Sequence, residues 1–307
     1  MKVFALAPKE NWICDRIVSE WYEYFGEHST KNSLEADLIW LNAGWCWNHV
    51  PKNELLSKKV VCTEHHIVPE KFGQNSFNEF MYRDQFIDLY HVPNPHTREI
   101  VAQLTKKPIE ILNYWYDSKK WFPEDRREAK ASLDLPGESF IIGSFQRDSE
   151  GDTDKPKLEK GPDVFCDYVE RLSKQKNVHV LLGGWRRKYV TKRLDSSNIK
   201  YTLKELASEE TLRKMYCACD LYVVGSRHEG GPQALLEAPA TMTPIVTTDM
   251  GIARQVITDN CIINPSQNLY IPTETDVEHN YRNVLKYNIE EQGEKYMKLF
   301  KKVISND

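Results

Sequence analysis

No run in this 307-residue chain approaches the ~18 consecutive apolar residues of a membrane-spanning helix. The opening Lys2–Ala7 run stops at Pro8-Lys9-Glu10, too short for the core of a secretory signal. Positive charge is not in excess: 41 Lys and Arg against 45 Asp and Glu leave a net charge of −4, so no basic field recruits nucleic acid or an anionic membrane. Glycine and proline, 14 and 15 residues, are too few for a collagen-like or low-complexity chain. No period of roughly 20–50 residues repeats. The seven cysteines are odd in number and mostly sit inside apolar runs (Cys62, Cys166, Cys261), which reads as reduced thiols rather than a disulfide framework. No G-x-G-x-x-G follows the first apolar run, which argues against a dinucleotide oxidoreductase. These absences set the expectation of a soluble, cytoplasmic protein without nucleic-acid partners or a transmembrane segment, and they leave peripheral membrane contact open.

What is present is a globular composition: 40% apolar, 28% charged and 11% aromatic residues, at a length that suggests about two domains. Short apolar runs alternate with helical stretches, the pattern of parallel α/β units. Strands are expected at Val3–Ala7, Leu38–Asn42, Val60–Thr63, Leu89–Val92 and Ile109–Leu112. The alternation restarts at Phe140–Phe145, Val178–Leu182, Leu221–Val224, Pro244–Thr247 and Cys261–Ile263. Between the two series lies a charged stretch with Pro123 and the turn Leu135-Pro136-Gly137. Pro162, Ser208 and Pro232 mark helix starts. From Thr273 onward the chain reads as helical, with Val277, Tyr281, Val284 and Leu285 as an apolar stripe. The expected architecture is two doubly wound, Rossmann-like parallel-sheet domains, 1–117 and 118–275, facing a central crevice. A helical tail, 276–307, is expected to return to the first domain.

In open α/β sheets ligands bind beyond the carboxyl ends of the strands. The richest such place is the end of Leu221–Val224, which runs into Gly225-Ser226-Arg227-His228-Glu229-Gly230-Gly231-Pro232-Gln233. Glycines let a ligand approach the backbone, and unpaired N–H groups at a helix start favour anions. Glu229 stands before that helix start and Glu237 inside it; five helical residues from Pro232 to Glu237 rise about 7.5 Å, enough for two carboxylates to hold hydroxyls at opposite ends of an extended polyhydroxylated ligand. Arg147 follows a strand end and Lys160 precedes a helix start, a fork and a point charge suited to a diphosphate. The acids of 148–154 read as a solvated loop rather than a metal site, and Arg186-Arg187-Lys188 as a solvated helix face or a phosphate contact. The loops Gly44–Trp47 and Asn113–Tyr116 are aromatic, fitting either sugar stacking or core packing.

Several of these segments carry a resemblance. Glu229 to Ala238 resembles the E-x7-E motif of retaining glycosyltransferases of family 4, which have the GT-B fold, and Thr243 to Gly251 is similar to the strand and glycine turn that follow it there. Asn113–Asp117 with Trp121-Phe122-Pro123, Ile141–Arg147, and Lys160-Gly161-Pro162-Asp163 are similar to further segments of that family in the same order. Thr63-Glu64-His65-His66 is similar to its T-x-H segment, whereas the first loop, Pro8 to Trp12, lacks the family's glycine pair. The resemblance implies transfer of a sugar from a nucleotide-sugar donor to a hydroxyl of a glycan or other acceptor, with retained configuration; with no D-x-D at a strand end and an acidic loop broken by glycine and threonine, no divalent metal or cofactor is expected. It implies that Glu229 orients the donor sugar, Glu237 the ribose, and Arg147 with Lys160 the diphosphate. His65 would support the sugar from the first domain, while Gly184, Gly230, Gly231 and Pro232 would line the nucleotide sugar. A GT-B-shaped sugar-nucleotide epimerase and a non-catalytic glycan-binding protein are the alternative readings.

Overall fold

The computed structural model describes residues 1–10 and 12–305; Asn11 of the first loop and the last two residues of the tail, Asn306 and Asp307, lie outside the described residues. The chain divides into two compact units, one of Met1–Trp115 with Tyr287–Asp307 and one of Tyr116–Lys286. Each is built on a wholly parallel five-stranded sheet, as the alternating pattern predicts.

In the first unit β1 (Val3–Leu6), β2 (Leu38–Leu41), β3 (Lys59–Thr63), β4 (Leu89–Val92) and β5 (Ile109–Ile111) lie side by side in chain order. Beyond β1 a single parallel bridge joins Val3 to Ser29. The chain thus leaves β1 to one side and returns as β2 on the other, so the winding reverses at β1. Side chains alternate across the sheet. Ile39 and Leu41 enter a core with Val60, Cys62, Phe80 and Tyr90 on one face. Trp40, between them, points to the other face, where its ring lies 5.5 Å from each of Trp21, Tyr296 and Phe300. The last two belong to the helix Ile289–Ser305, whose Gly293 carries no side chain because a Cβ there would come within 2.1 Å of the Phe25 ring.

The second unit contains β6 (Phe140–Phe145), β7 (Val178–Gly183), β8 (Tyr201–Lys204), β9 (Leu221–Val224) and β10 (Ile245–Thr247), ordered β10-β9-β6-β7-β8. The strand order reverses between β6 and β9, the topological switch point of a doubly wound sheet. Ile142 and Leu182 pack to one face, Ile141 and Leu181 to the other.

Four local expectations differ. β8 is a strand although Tyr201–Lys204 is no apolar run, because an edge strand with every residue half-buried needs none. Cys261–Ile263 is not a strand: it follows a 3-10 turn, and only Ile262 bridges, to Thr247. The helix expected at Pro232 begins at Ala234, since Leu235 N–H closes a tight turn on the Pro232 carbonyl at 2.9 Å. The C-terminal helix is two, Glu274–Val284 and Ile289–Ser305, with Asn288 Oδ1 accepting from the Glu291 N–H at 2.8 Å at the start of the second. The first of these buries Asp276, Asn280 and Val284, whereas Leu285 is exposed. Polar atoms hold that face: Asn280 Oδ1 accepts from Thr258 N–H at 2.8 Å, and Asp276 accepts from the Tyr270 hydroxyl at 2.6 Å.

Candidate functional site

The switch point of the second sheet is where the loops after β6, β9 and β10 meet. Their meeting is enforced by missing side chains. Gly161 has φ 60°, and a Cβ on it would stand 1.8 Å from the Gly225 carbonyl oxygen. Gly251, at φ 58°, would bring a Cβ within 2.8 Å of the Gly230 carbonyl oxygen. Hydrogen bonds then lock the crossing. The Glu159 carbonyl accepts from Arg227 N–H at 2.8 Å and His228 N–H at 3.2 Å. The Lys160 carbonyl accepts from Gln146 Nε2 at 2.8 Å and the Ser226 hydroxyl at 3.3 Å.

Clamped in this way, Lys160 directs its ammonium onto the Glu229 carboxylate, forming an ion pair with side-chain exposures of 22% and 11%. The structure thus brings together two residues that the sequence separates by the whole of β7, β8 and β9. Gly230, Gly231 and Pro232 continue the same loop, and Glu237 sits in the short helix Ala234–Ala240, 3% exposed. The Tyr216 hydroxyl lies against the Glu237 carboxylate; burial first, and then that charge, push the phenol well above its ordinary range. Neither Glu229 nor Glu237 is a surface acid.

Arg147 leaves the end of β6 and lies over the Trp185 ring, 5.8 Å from its centroid, while Arg186 covers the same indole at 4.4 Å. Gly184, with φ 78°, turns the chain into that tryptophan from the end of β7. The basic run is not one solvated face. Lys188 is exposed, but Arg187 is 2% exposed and paired with the fully buried Asp148, Nε to Oδ2 at 2.5 Å. Its Nη1 donates to the carbonyls of Ser144 at 2.5 Å and Gly183 at 2.6 Å, so it fastens the ends of β6 and β7 together. Two further acids of the loop have partners: Glu150 pairs with Lys155 at 2.9 Å and Asp154 with Lys192 at 2.5 Å. Sequence reasoning missed Trp185 and placed Arg187 and Asp148 in solvated segments, whereas the two form a buried ion pair. The signal that Arg187 offered is a cation four residues beyond the glycine that ends β7.

In the first unit His65 follows β3. Its Nε2 donates to the Asn42 carbonyl at 2.7 Å, and Nδ1 shares a hydrogen bond with the Tyr114 hydroxyl at 2.5 Å, which fixes the orientation of the ring. The two aromatic loops separate: Tyr114, Trp115 and Tyr116 are core, and Trp47 stacks on Phe86 at 5.7 Å, whereas Trp45 stays 48% exposed beside His65. Among the described residues no group of three or more His, Cys, Asp and Glu is arranged to hold a metal ion, and no helix is long and apolar enough to cross a membrane.

This geometry coincides with an independent signal: residues 152–295 match the family model of glycosyl transferases group 1. The segment holds Lys160, Gly184, the 225–233 loop and Glu237. Among curated proteins, the chain is similar to the lipopolysaccharide core biosynthesis mannosyltransferase LpsB of Rhizobium meliloti (strain 1021), at 25% identity over 160 residues. That match covers 49% of this chain and 43% of the relative, so the chain spans less than half the length of that protein. Among solved structures it is similar to Anabaena Alr3699/HepE in complex with UDP and glucose, with TM-score 0.80, 13% identity, and 98% of this chain and 99% of that one covered. Sucrose-phosphate synthase from Thermosynechococcus elongatus superposes with TM-score 0.69 at 15% identity, covering 94% of this chain and 77% of that one. The fold is GT-B.

Proposed function

We propose that this protein is a retaining, metal-independent glycosyltransferase that moves a sugar from a nucleotide diphosphate donor to a hydroxyl acceptor in glycan biosynthesis. The observation that carries the reading is the Lys160–Glu229 pair at the β6/β9 switch point, within the segment that matches the glycosyltransferase family model. As the bond between the anomeric carbon and the diphosphate oxygen breaks, negative charge grows on the leaving group, and fixed cations lower the barrier by meeting it. Lys160 supplies a point charge and Arg147 a planar fork. An arriving diphosphate draws the ammonium of Lys160 and releases the Glu229 carboxylate to accept a donor-sugar hydroxyl. The acceptor oxygen attacks from the face the leaving group departs, and its proton passes to the departing phosphate oxygen. Glu237, already buried and bordered by Tyr216, accepts from the ribose hydroxyls. The first unit carries the acceptor, and the second unit holds the donor.

The neighbour solved with UDP and glucose makes UDP-sugars the first donors to test. In calorimetry with UDP and UDP-glucose, Glu237→Gln is expected to weaken nucleotide binding, whereas Glu229→Gln keeps the affinity for UDP and lowers donor turnover. Unchanged UDP affinity in Glu237→Gln removes the ribose role.

A further inference from the structure

The carboxyl end of the first sheet holds groups that donor chemistry leaves unused. After β1 an internal carboxylate occupies the loop. Asp15, in the first turn of the helix Ile13–Tyr24, accepts from the Lys9 N–H at 2.7 Å, the Glu10 N–H at 2.8 Å and the Trp12 N–H at 3.2 Å. Lys9 adopts φ 60° to close this ring. Backbone amides at a helix start ordinarily attract an anion. Here the protein's own carboxylate takes three amides of the loop that leads into the helix, those of Lys9, Glu10 and Trp12.

The same loop sets Glu10 beside the loop after β2, where Trp45 Nε1–H donates to Glu10 Oε1 at 3.3 Å. Trp45 keeps 48% of its surface exposed and tilts against His65, ring centroids 5.9 Å apart. His65 cannot swing away, because both ring nitrogens are engaged by Asn42 and Tyr114. The corner is electrically negative: the buried Cys46 thiol is pushed up to about 11 by burial, then by the charges of Glu10 and Asp15.

We propose that Trp45 and Glu10 select the acceptor, taking a neutral sugar and turning away a phosphorylated one. This deepens the transfer reading and rests on it. The C–H face of a pyranose covers the exposed indole and removes apolar surface from water. A sugar hydroxyl donates to Glu10, whose carboxylate has lone pairs left after the indole N–H. A phosphate ester in the same place meets the carboxylates of Glu10 and Asp15 and finds the amides of Lys9, Glu10 and Trp12 already donating to Asp15. Like charges brought together in a partly desolvated site select against the wrong ligand.

The test is saturation-transfer NMR on the full chain with methyl α-glucoside, methyl α-mannoside and methyl α-galactoside, each paired with its 6-phosphate. At least one neutral glycoside is expected to receive saturation, with its 6-phosphate at least tenfold weaker. Trp45→Ala is expected to abolish the signal and Trp45→Phe to retain it, with thermal melts confirming that both fold. Glu10→Gln is expected to narrow the gap between the neutral and phosphorylated forms. A 6-phosphate that binds as well as its parent, silence from all three glycosides, or an unchanged signal in Trp45→Ala overturns the proposal. Calorimetry with UDP-glucose on the same samples separates the two readings. Donor binding without glycoside selectivity strikes this inference alone, and absent donor binding strikes the transfer reading.

Discussion

Replacing Arg187 by alanine strands a carboxylate. Asp148 is fully buried, and the Arg187 guanidinium is its ion-pair partner as well as a donor to two strand-end carbonyls and, at 3.1 Å, to the Ser144 hydroxyl. Removing one member of a buried pair typically costs about 3–5 kcal/mol, because the remaining charge is left without its counter-ion, and Asp148 would keep only the Ser149 hydroxyl at 3.3 Å. At about 2–4 °C per kcal/mol for a unit of this size, the melting temperature should fall by roughly 6–20 °C. Lys188→Ala, next in sequence but exposed, should stay within about 0.5 kcal/mol. The paired replacement Arg187→Met with Asp148→Leu should recover much of the loss, because an apolar pair of similar volume substitutes well for buried ions. The assay is denaturant unfolding of the four proteins under one buffer. A loss below about 1 kcal/mol in Arg187→Ala refutes the assignment of Arg187 as a structural tie and returns it to the ligand-contact reading.

Two further outcomes follow from burial and backbone geometry. His91 is fully buried, held by Thr63 Oγ1 at 2.9 Å and the Leu112 carbonyl at 2.9 Å, and burial lowers its pKa to about 4. The unfolded chain, with a His pKa near ~6.5, takes up a proton that the folded chain refuses, so stability should fall as pH drops from about 6.5 to about 4, by roughly 1.4 kcal/mol per unit. Denaturant midpoints across that range should flatten in His91→Asn, and parallel curves for the two proteins would contradict the account. Gly161→Ala should cost more than the roughly 1–2 kcal/mol of a left-handed alanine, because its Cβ also meets the Gly225 carbonyl. Gly151→Ala, at φ 57° with nothing within 4 Å, isolates the backbone part. Equal melting temperatures for the two variants would show that the loop crossing carries no strain.

Much of this molecule was legible where one residue's environment is set by its own neighbours in sequence. Leu221–Val224 is apolar at every position and is a fully buried central strand. Glu229 and Glu237 stand out because a charged loop interrupts apolar segments, and both lie at the switch point. What stayed hidden depends on partners distant in the chain. Gly161 reads as a helix-start glycine, and only the fold shows Gly225 pressed against it. Arg187 looks like its neighbours Arg186 and Lys188, yet register puts it between two strand ends with Asp148. The stripe Val277, Tyr281, Val284, Leu285 finds buried Val284 but includes exposed Leu285 and omits Asp276 and Asn280, which are buried through hydrogen bonds that an apolar pattern cannot register. Asn113–Tyr116 and Gly44–Trp47 look alike in composition, and only packing separates the buried rings from exposed Trp45.

In the proposed mechanism Lys160 and Arg147, rather than a divalent metal, stabilise the departing diphosphate. The direct measurement is the rate of UDP release from UDP-glucose with and without chelator, for the native protein, Arg147→Ala, Lys160→Ala, and Lys155→Ala as the exposed control. The account predicts no effect of chelator and no effect of Lys155→Ala. It predicts losses of about 10²–10³-fold, on the order of 3–4 kcal/mol, for Arg147→Ala and Lys160→Ala. Activity abolished by chelator, or near-native turnover in Arg147→Ala and Lys160→Ala, would contradict it.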